Sequence, residues 1–393
     1  MIGLLTAIWW LVGALTAASI AYLLLALASV AAYRSPSRSS GNGTLGKVTL
    51  LKPVSGLEDG LEEAITSFLA QETSFAVHFV FGAADAQDPA LLLCRKIAAH
   101  FPDRQVSFVA DSRIHGANPK VSNLINMASE GLDEVIVLSD SDIVIAPGVL
   151  QRAVDTLGDP GVGAATALYR SRPGIPGDRI RIFGGWFLDY WFLPMAVLHA
   201  RLSPLSVTYG PLTAIRREVL AGIGGIEALA DHLSDDAELG RRVRELGWAV
   251  VFTPDIAETL VNDANQGELF NHELRWARTV RGLDPIGFAA SVVSHPGPLP
   301  LLLLLQPGIL AAAGISLPLI LRWLLVRAVE KKFGRSDALP RPHIFALWWR
   351  DTYCFLVWMA AWRTQSVDWR GRTLTVDRGD LLQETPAMRE NNR

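Results

Sequence analysis

The sequence has few cysteines, few charges and no excess of either sign of charge. Only two of the 393 residues are cysteine, Cys94 and Cys354, which argues against a disulfide framework or a cysteine-based zinc site and favours a reducing compartment. The 36 Lys and Arg residues nearly balance the 39 Asp and Glu residues, so no basic excess favours nucleic acid as a partner. Hydrophobic residues make up 50% of the chain and charged residues 19%, which is typical of a protein with membrane segments.

The first 33 residues contain no charged side chain. The apolar run from Leu4 to Tyr33 exceeds the about 20 residues needed to span hydrocarbon, so it predicts a transmembrane anchor over residues 1–33. A cleaved signal peptide is the alternative, but it would have a basic start and a shorter apolar core. Residues 34–46 form a linker rich in Ser and Gly. Basic residues follow the anchor and none precede it, which places the rest of the chain in the cytoplasm: Arg34, Arg38, Lys47 and Lys52.

Residues 47–287 have the pattern of a soluble α/β domain. Short β-like runs alternate with amphipathic stretches, which predicts a mostly parallel sheet with crossover helices. The β-like runs are VTLLKPV, AVHFVFGAA, QVSFVA, EVIVLSDSDIVI, GVGAATALY and WAVVFTP, and the amphipathic ones LEEAITSFLAQ, PALLLCRKIAAHF and AELGRRVRELG. Ligands of such sheets bind beyond the carboxyl ends of the strands, so acidic residues at those ends are candidate site residues.

Apolar character returns after the domain. Residues 288–363 are predicted to hold two to four membrane helices, with Pro and Gly breaks that leave the number open. Residues 364–393 form a polar cytosolic tail that we expect to return to the catalytic domain. Within the domain, residues 183–202 are dense in Trp, Tyr and Phe. This segment is either an interfacial helix, which we favour, or part of the core.

Two carboxylates follow one hydrophobic run directly. Asp140 and Asp142 end the strand-like stretch EVIVLS and are separated by one serine. Two such carboxylates supply the hard oxygen ligands that Mg²⁺ or Mn²⁺ needs while it also binds phosphate oxygens and water. The simpler interpretation is an acidic turn after a strand, since Asp favours turns. The position at a strand end favours the metal site.

A second pair of carboxylates, Asp235 and Asp236, begins a helix-like stretch. Leu239, Val243 and Leu246 lie on one face of that stretch, so both Asp residues fall at its first turn. One Asp suffices to cap a helix, so the pair has one carboxylate more than a cap requires. The second carboxylate is a candidate general base for an acceptor hydroxyl.

A basic helical stripe precedes the C-terminal apolar region. Arg275, Arg278 and Arg281 recur every three residues, next to Trp276 and after His272. One interpretation is a juxtamembrane helix that contacts anionic lipid headgroups. The other is a set of side chains closing over a pyrophosphate, because Arg makes bidentate contacts with phosphate oxygens.

Three weaker candidates lie after β-like runs or at a predicted loop. Lys52 and Pro53 end the first run, Asp85 follows the second, and Lys120 lies in Asn118-Pro119-Lys120. A nucleotide would be held at such positions, and a lysine near a diphosphate acts as a point charge. Solvated loop residues are the simpler interpretation of each.

These segments together resemble one family. KPVSGLEDGLEEAITSFLAQ, AADAQDP, NPKVSNLIN, SDSD, SDDAELGRRVRELGW and HELRW occur in this order over nearly the whole chain. The set resembles the ceramide glucosyltransferase family of inverting GT-A enzymes, which includes bacterial relatives and hopanoid-biosynthesis glycosyltransferases. The resemblance implies a GT-A, Rossmann-like cytosolic domain with one N-terminal and several C-terminal transmembrane helices.

The resemblance also implies roles for single residues. Asp85 matches the family's first conserved Asp and would contact the nucleotide with Lys52, Pro53 and Lys120. Asp140 matches the second and, with Asp142, would bind the metal and the diphosphate. Asp236 matches the third, the catalytic base. Arg275 and Trp276 match the end of the (Q/R)xxRW signature, whereas its first position, expected near the nucleotide, is His272 here.

The implied activity is transfer of a sugar, expected to be glucose, from a UDP-sugar to ceramide at the bacterial inner membrane. A hopanoid polyol with UDP-N-acetylglucosamine as donor is the alternative. A processive polysaccharide synthase is a third interpretation, but such enzymes usually have Gln at the position of His272. A transporter is a fourth, but transporters place ionisable groups inside their spans. Here the acidic clusters lie in the soluble domain, and Arg350-Asp351 is the one candidate intramembrane pair.

Overall fold

A computed structural model describes residues 2–36, 46–363, 366–369, 372–376 and 381–384. The helices, numbered in chain order, are α1 (Ile2–Ala32), α2 (Leu61–Leu69), α3 (Pro89–Ala98), α4 (Pro119–Met127), α5 (Val149–Asp155), α6 (Arg179–Phe187), α7 (Leu193–Leu202), α8 (Arg217–Gly222), α9 (Asp235–Glu245), α10 (Gln266–Leu283), α11 (Pro285–Ala290), α12 (Ile309–Phe333) and α13 (Ile344–Ala361). The strands are β1 (Lys47–Pro53), β2 (Ala76–Ala83), β3 (Gln105–Ala110), β4 (Val135–Leu138), β5 (Ile143–Val144), β6 (Val162–Pro173), β7 (Thr213–Arg216), β8 (Ala249–Val261), β9 (Ser366–Trp369), β10 (Arg372–Val376) and β11 (Leu382–Glu384).

The first eight strands form one mixed sheet in the order β3-β2-β1-β4-β7-β6-β8-β5. Among the described residues, four of its seven pairings are parallel: β2 with β3, β1 with β2, β1 with β4, and β6 with β8. The strand β7 lies antiparallel between β4 and β6, and β5 pairs antiparallel with β8. The six predicted strand runs are confirmed, whereas β7, with only four residues, has no run long enough to predict it.

Two apolar layers cover the sheet. On one face, side chains of α2, α3 and α5 pack against alternate residues of the central strands. On the other face, α4, α7 and α9 pack together with α1 and α12. Leu23 and Val30 of α1 and Leu325 of α12 are each fully buried in that second layer. The long apolar helices therefore share one continuous core with the sheet.

Two of the described helices are long and apolar enough to cross a membrane, Gly3–Ala32 and Ile309–Phe333. A third span is possible if Pro285–Ser294 and Leu299–Leu305, which meet at a bend of 60°, together form one. The helix α13 does not meet the same criteria, and it carries the buried, charged Arg350 and Asp351. The prediction of several C-terminal membrane helices is therefore not confirmed, because part of the apolar sequence is broken or packs around charges.

The aromatic segment 183–202 forms the end of α6, a π-helical turn over Leu188–Phe192, and α7. About half of its side chains are buried, and α7 packs against α1. This places the segment between β6 and the candidate membrane helices, with Met195 and Leu202 exposed. The described part of the tail returns to the domain, because the Leu382 backbone N–H donates to the Asp231 carbonyl at 2.7 Å. The cytosolic side of the tail stays a prediction.

Candidate functional site

A cleft of about 690 Å³ opens where the sheet meets the first turns of α4 and α9 and one side of α10. Eight of the ten predicted site residues line it: Pro53, Lys120, Asp140, Asp142, Asp236, His272, Arg275 and Trp276. The carboxyl ends of β1, β4 and β8 reach this edge, and residues from distant parts of the sequence meet there as the strand order requires.

The loop after β4 is held on both sides. Ser139 Oγ donates to the Pro211 carbonyl at 2.8 Å. On the other side, Thr259 Oγ1 of β8 donates to Asp142 Oδ2 at 2.8 Å, and the Leu260 N–H donates to the Asp142 carbonyl at 2.9 Å. Burial and the neighbouring Asp140 raise the pKa of Asp142 above its usual value. The two carboxylates are thus fixed at one edge, where their mutual repulsion would be relieved by a cation.

Lys120 joins the two acidic clusters. Its Nζ lies 2.8 Å from Asp140 Oδ1 and 3.0 Å from Asp235 Oδ2. Asn118 fixes the start of α4, because its Oδ1 accepts from the Lys120 N–H at 2.9 Å and its Nδ2 donates to the His232 carbonyl at 2.8 Å. Burial disfavours the ammonium, but the facing carboxylates outweigh it and raise the pKa of Lys120, so this cation stays charged.

Asp236 lies in the first turn of α9 with both carboxylate oxygens engaged. Oδ1 accepts from Ser234 Oγ at 2.9 Å and from the Ala237 N–H at 2.8 Å. Oδ2 accepts from the Gly210 N–H at 3.0 Å. Burial, and next the charge of Asp235, raise the pKa of Asp236. A carboxylate whose pKa lies above the ordinary value is a stronger base than an exposed aspartate.

Gly210 is a site residue that the sequence analysis missed. A Cβ at this position would lie 2.5 Å from Asp140 Oδ2, which is too close for any unshifted side chain. The glycine therefore lets the backbone pass between Asp140 and Asp236 while its N–H binds the latter. In the sequence, this position is marked by the dipeptide Gly210-Pro211, but a Gly-Pro pair by itself predicts only a turn and not a cleft residue.

One side of α10 closes the cleft. His272 Nδ1 lies 3.1 Å from Asp263 Oδ1, which orients the imidazole. The His272 and Trp276 rings lie 4.2 Å apart between centroids, and the Trp276 indole stacks on Phe187 at 6.0 Å with a 20° angle between planes. Arg275 lines the same cleft. Arg275 and Trp276, from one helix, thus line the same cleft as the carboxylates.

The chain can be placed in a family by this ordered set and by comparison with known proteins. The profile described as glycosyl transferase family 21 matches residues 11–382. The chain belongs to glycosyl transferase family 21. Ceramide glucosyltransferase 1 of Caenorhabditis elegans is 24% identical over 258 residues, which cover 63% of this chain and 52% of that protein. Ceramide glucosyltransferase of Gibberella zeae is 30% identical over 132 residues, covering 31% and 25% of the two chains.

The curated relatives are longer, and the chain spans about half the length of the two from Caenorhabditis elegans. Among solved structures, the mannosyltransferase PcManGT from Pyrobaculum calidifontis, in complex with GDP-Man and Mn²⁺, superposes with a TM-score of 0.56 at 17% identity. The match covers 91% of this chain and 97% of that one. The likeness confirms the predicted GT-A fold for this family 21 chain.

Two of the predicted residues do not line the cleft. Lys52 is fully buried, its Nζ lies 4.0 Å from the centre of the Phe68 ring, and it donates to the Asp140 carbonyl at 2.5 Å. Burial lowers the pKa of Lys52 to about 8. Lys52 thus stabilises the Asp140 loop from the buried side, away from the cleft. Asp85 lies in an exposed turn, where its Oδ1 accepts from the Gln87 N–H at 2.9 Å, so its nucleotide contact stays a prediction.

The carboxylates in the cleft provide part of a binding site for a divalent cation. No group of three or more His, Cys, Asp or Glu side chains in the described ranges is arranged to enclose a metal ion. Asp140 and Asp142 nevertheless supply two hard oxygen donors, and Asp142 is further oriented by Thr259. A cation held by two carboxylates keeps positions for phosphate oxygens and water, as Mg²⁺ sites of this kind usually do. The donor set therefore fits a metal that a ligand completes.

Proposed function

We propose that this family 21 chain is a membrane-bound inverting glycosyltransferase that moves glucose from UDP-glucose to the hydroxyl of ceramide. The proposal is supported mainly by the position of three carboxylates. Asp140, Asp142 and Asp236 share a cleft with the basic and aromatic residues of α10, in a domain whose core is continuous with the candidate membrane helices α1 and α12. A nucleotide-bound metal and a lipid alcohol can meet in such a place. The similarity to ceramide glucosyltransferases supports this acceptor.

The donor occupies the side of the cleft formed by Pro53, Lys120 and Asp140. Asp140 and Asp142 would hold Mg²⁺ or Mn²⁺, which when bound supplies Lewis-acid neutralisation of the diphosphate. Arg275 adds a fixed cation for the charge that grows on the departing UDP. His272 and Trp276 cover the diphosphate and exclude water, which would otherwise hydrolyse the donor.

Asp236 acts as the general base. Its carboxylate takes the proton of the lipid hydroxyl while the hydroxyl oxygen attacks the anomeric carbon on the face opposite to UDP. The bond from the anomeric carbon to the phosphate oxygen breaks in the same displacement, so the configuration inverts and UDP leaves. The Gly210 N–H and Ser234 Oγ hold the carboxylate in one orientation throughout.

The catalytic domain faces the cytoplasm of the bacterial inner membrane in this proposal. The absence of charge before Tyr33 and the basic residues after it support this orientation. UDP-sugars are then taken from the cytoplasm, and the acceptor lipid reaches the cleft from the membrane side.

The test is UDP release by the purified full chain in detergent with ceramide, with a bacteriohopanepolyol and with no lipid. UDP-glucose and UDP-N-acetylglucosamine are each supplied with Mn²⁺, and the lipid product is identified by mass spectrometry and by the NMR coupling of its anomeric proton. We expect β-glucosylceramide. A product formed with the bacteriohopanepolyol instead of ceramide would identify a hopanoid as the acceptor. An α-linked product would exclude the inverting route, and a polymer would indicate a processive synthase.

A further inference from the structure

Glu273 lies in the helix that closes the cleft, between His272 and Arg275. Its side chain is 4% exposed, and its carboxylate forms an ion pair with the guanidinium of Arg350 on α13. Arg350 is fully buried. Glu273 therefore borders the cleft together with His272, Arg275 and Trp276, but its carboxylate is engaged by the neighbouring helix α13.

The surroundings of Arg350 make it depend on this partner. Its guanidinium carbon lies 4.6 Å from the centre of the Phe183 ring, 5.1 Å from that of Tyr353 and 5.2 Å from that of Phe187. Within the described part of the chain, its Nε and Nη1 have no hydrogen-bond partner. A buried charge without a counterion is strongly unfavourable, so Glu273 has to stay within reach of Arg350.

The same set of rings touches the site directly. Phe187, which covers one side of Arg350, also stacks on the indole of Trp276. Arg350 thus acts on α10 at two points, through the Glu273 carboxylate and through Phe187 against Trp276. Two points of contact on successive turns fix both the position of a helix and its rotation about its own axis.

Stability alone does not explain the pair. A buried ion pair loses about as much in desolvation as it gains in attraction, and apolar side chains of similar volume often serve the fold equally well. What the ion pair adds is a defined geometry. We propose that Glu273 and Arg350 are positioning residues that hold α10 at the rotation in which Arg275 and Trp276 face the donor diphosphate. This inference rests on the proposed function.

The chain contains a matched control. The adjacent Asp351 forms a second buried ion pair, with Arg322 of α12 at 2.9 Å, and accepts from Trp191 Nε1 at 2.6 Å. Arg322 and Asp351 are each 1% exposed, as deeply buried as the first pair. This second pair joins α12, α13 and the π-helical turn, and Arg322 also donates to the Ser294 carbonyl; within the described ranges, none of these hydrogen bonds reaches α10.

The experiment compares the double variants Glu273→Gln/Arg350→Met and Arg322→Met/Asp351→Asn, each as purified full chain in detergent. For the first, we expect kcat to fall between about tenfold and hundredfold, as for a misplaced catalytic group, and the amides of residues 266–283 to exchange hydrogen faster. For the second, we expect unchanged kcat per folded molecule and unchanged exchange in 266–283, whatever the change in unfolding temperature.

A first double variant with normal kcat and normal exchange in residues 266–283 overturns the proposal, as does an equal kcat loss in both double variants. If the first double variant does not fold, the charge-conserving variants Arg350→Lys and Arg322→Lys are compared instead. Lysine keeps the buried charge but lacks the planar fork of the guanidinium, so Arg350→Lys should increase hydrogen exchange in 266–283 and Arg322→Lys should not. Equal exchange of 266–283 in these two variants would overturn the proposal. Hydrogen exchange needs no substrate, so this readout stands even if no UDP-sugar supports turnover.

Discussion

Asp236 combines three properties that a catalytic base needs. It lines the cleft, it is held by the Gly210 N–H and Ser234 Oγ, and its pKa is raised by burial and by Asp235. None of the three is visible in the dipeptide Asp235-Asp236, since either residue could cap the helix. The structure separates them, because Asp235 pairs with Lys120 while Asp236 binds Gly210.

We expect Asp236→Asn to lower kcat by about 10²-fold to 10⁴-fold, the usual contribution of a positioned base, because an amide cannot accept the proton. UDP affinity in the presence of Mn²⁺, measured by calorimetry, should stay near the wild-type value, since the substitution leaves the donor side intact. Near-normal turnover of this variant would refute the base assignment.

The acid side of the kcat profile should report the Asp236 pKa. Activity requires the carboxylate form, so it is lost as pH falls through a pKa that lies above the ordinary aspartate value. Asp235→Asn removes a negative charge that raises this pKa, and the acid limb should then move to lower pH. A kcat–pH series on both proteins measures the shift; an acid limb moving upward would contradict the assigned interaction.

At the scale of elements, β8 holds the loop that carries Asp140 and Asp142 against the sheet. Thr259 bonds the Asp142 carboxylate and Leu260 bonds its carbonyl, so the two-residue strand β5 depends on β8 for its place. Outer-shell bonds of this kind orient the ligating group and are worth a sizeable part of metal affinity.

Thr259→Val should weaken Mn²⁺ binding between about tenfold and hundredfold, because the isosteric side chain cannot donate to Asp142. Mn²⁺ affinity is measured by electron paramagnetic resonance in the presence of UDP. Thr49→Val is the matched control, since Thr49 Oγ1 donates to Asp133 Oδ2 at 2.9 Å at the opposite end of the sheet. Equal Mn²⁺ affinities in the two variants would remove the basis for Asp142 as a ligand.

At the scale of the whole molecule, the candidate membrane helices α1 and α12 share one packed core with the α/β domain. Leu23, Ala26 and Val30 of α1 are buried in the layer that covers the sheet, whereas Leu24 and Leu25 are about half exposed. The N-terminal helix thus has one side for the protein and another side available to lipid. This helix therefore contributes to the core of the folded domain.

Leu23→Ala should therefore destabilise the catalytic domain, by about 2–5 kcal/mol, because it leaves a cavity in a shared core. Leu24→Ala in the same helix should cost far less. Thermal unfolding of the detergent-solubilised full chain, followed by the loss of UDP binding, measures both. Equal unfolding temperatures would mean that α1 is a separable tether.

The sequence alone determined the N-terminal apolar helix, the longer strands of the sheet and most of the residues that we assign to the cleft. An uncharged run of 30 residues and the alternation of β-like and helical patterns depend only on local hydrophobic periodicity, and they predicted α1, six strand runs and the helices α2, α3 and α9. The ordered motifs predicted eight residues that line the cleft. Residue type carries such information because metal binding, proton transfer and phosphate contact each need particular side chains.

Only the tertiary structure decided which groups face one another. Lys52, which we predicted to lie near a nucleotide, is fully buried and donates to the Asp140 carbonyl, and Gly210 and Thr259 line the cleft without having been predicted. Arg350 and Asp351, adjacent in sequence, pair with different helices. Glu273 and Arg350 are 77 positions apart in the sequence. Contacts between such distant residues are determined by strand order and helix rotation. Local periodicity carries no information about either.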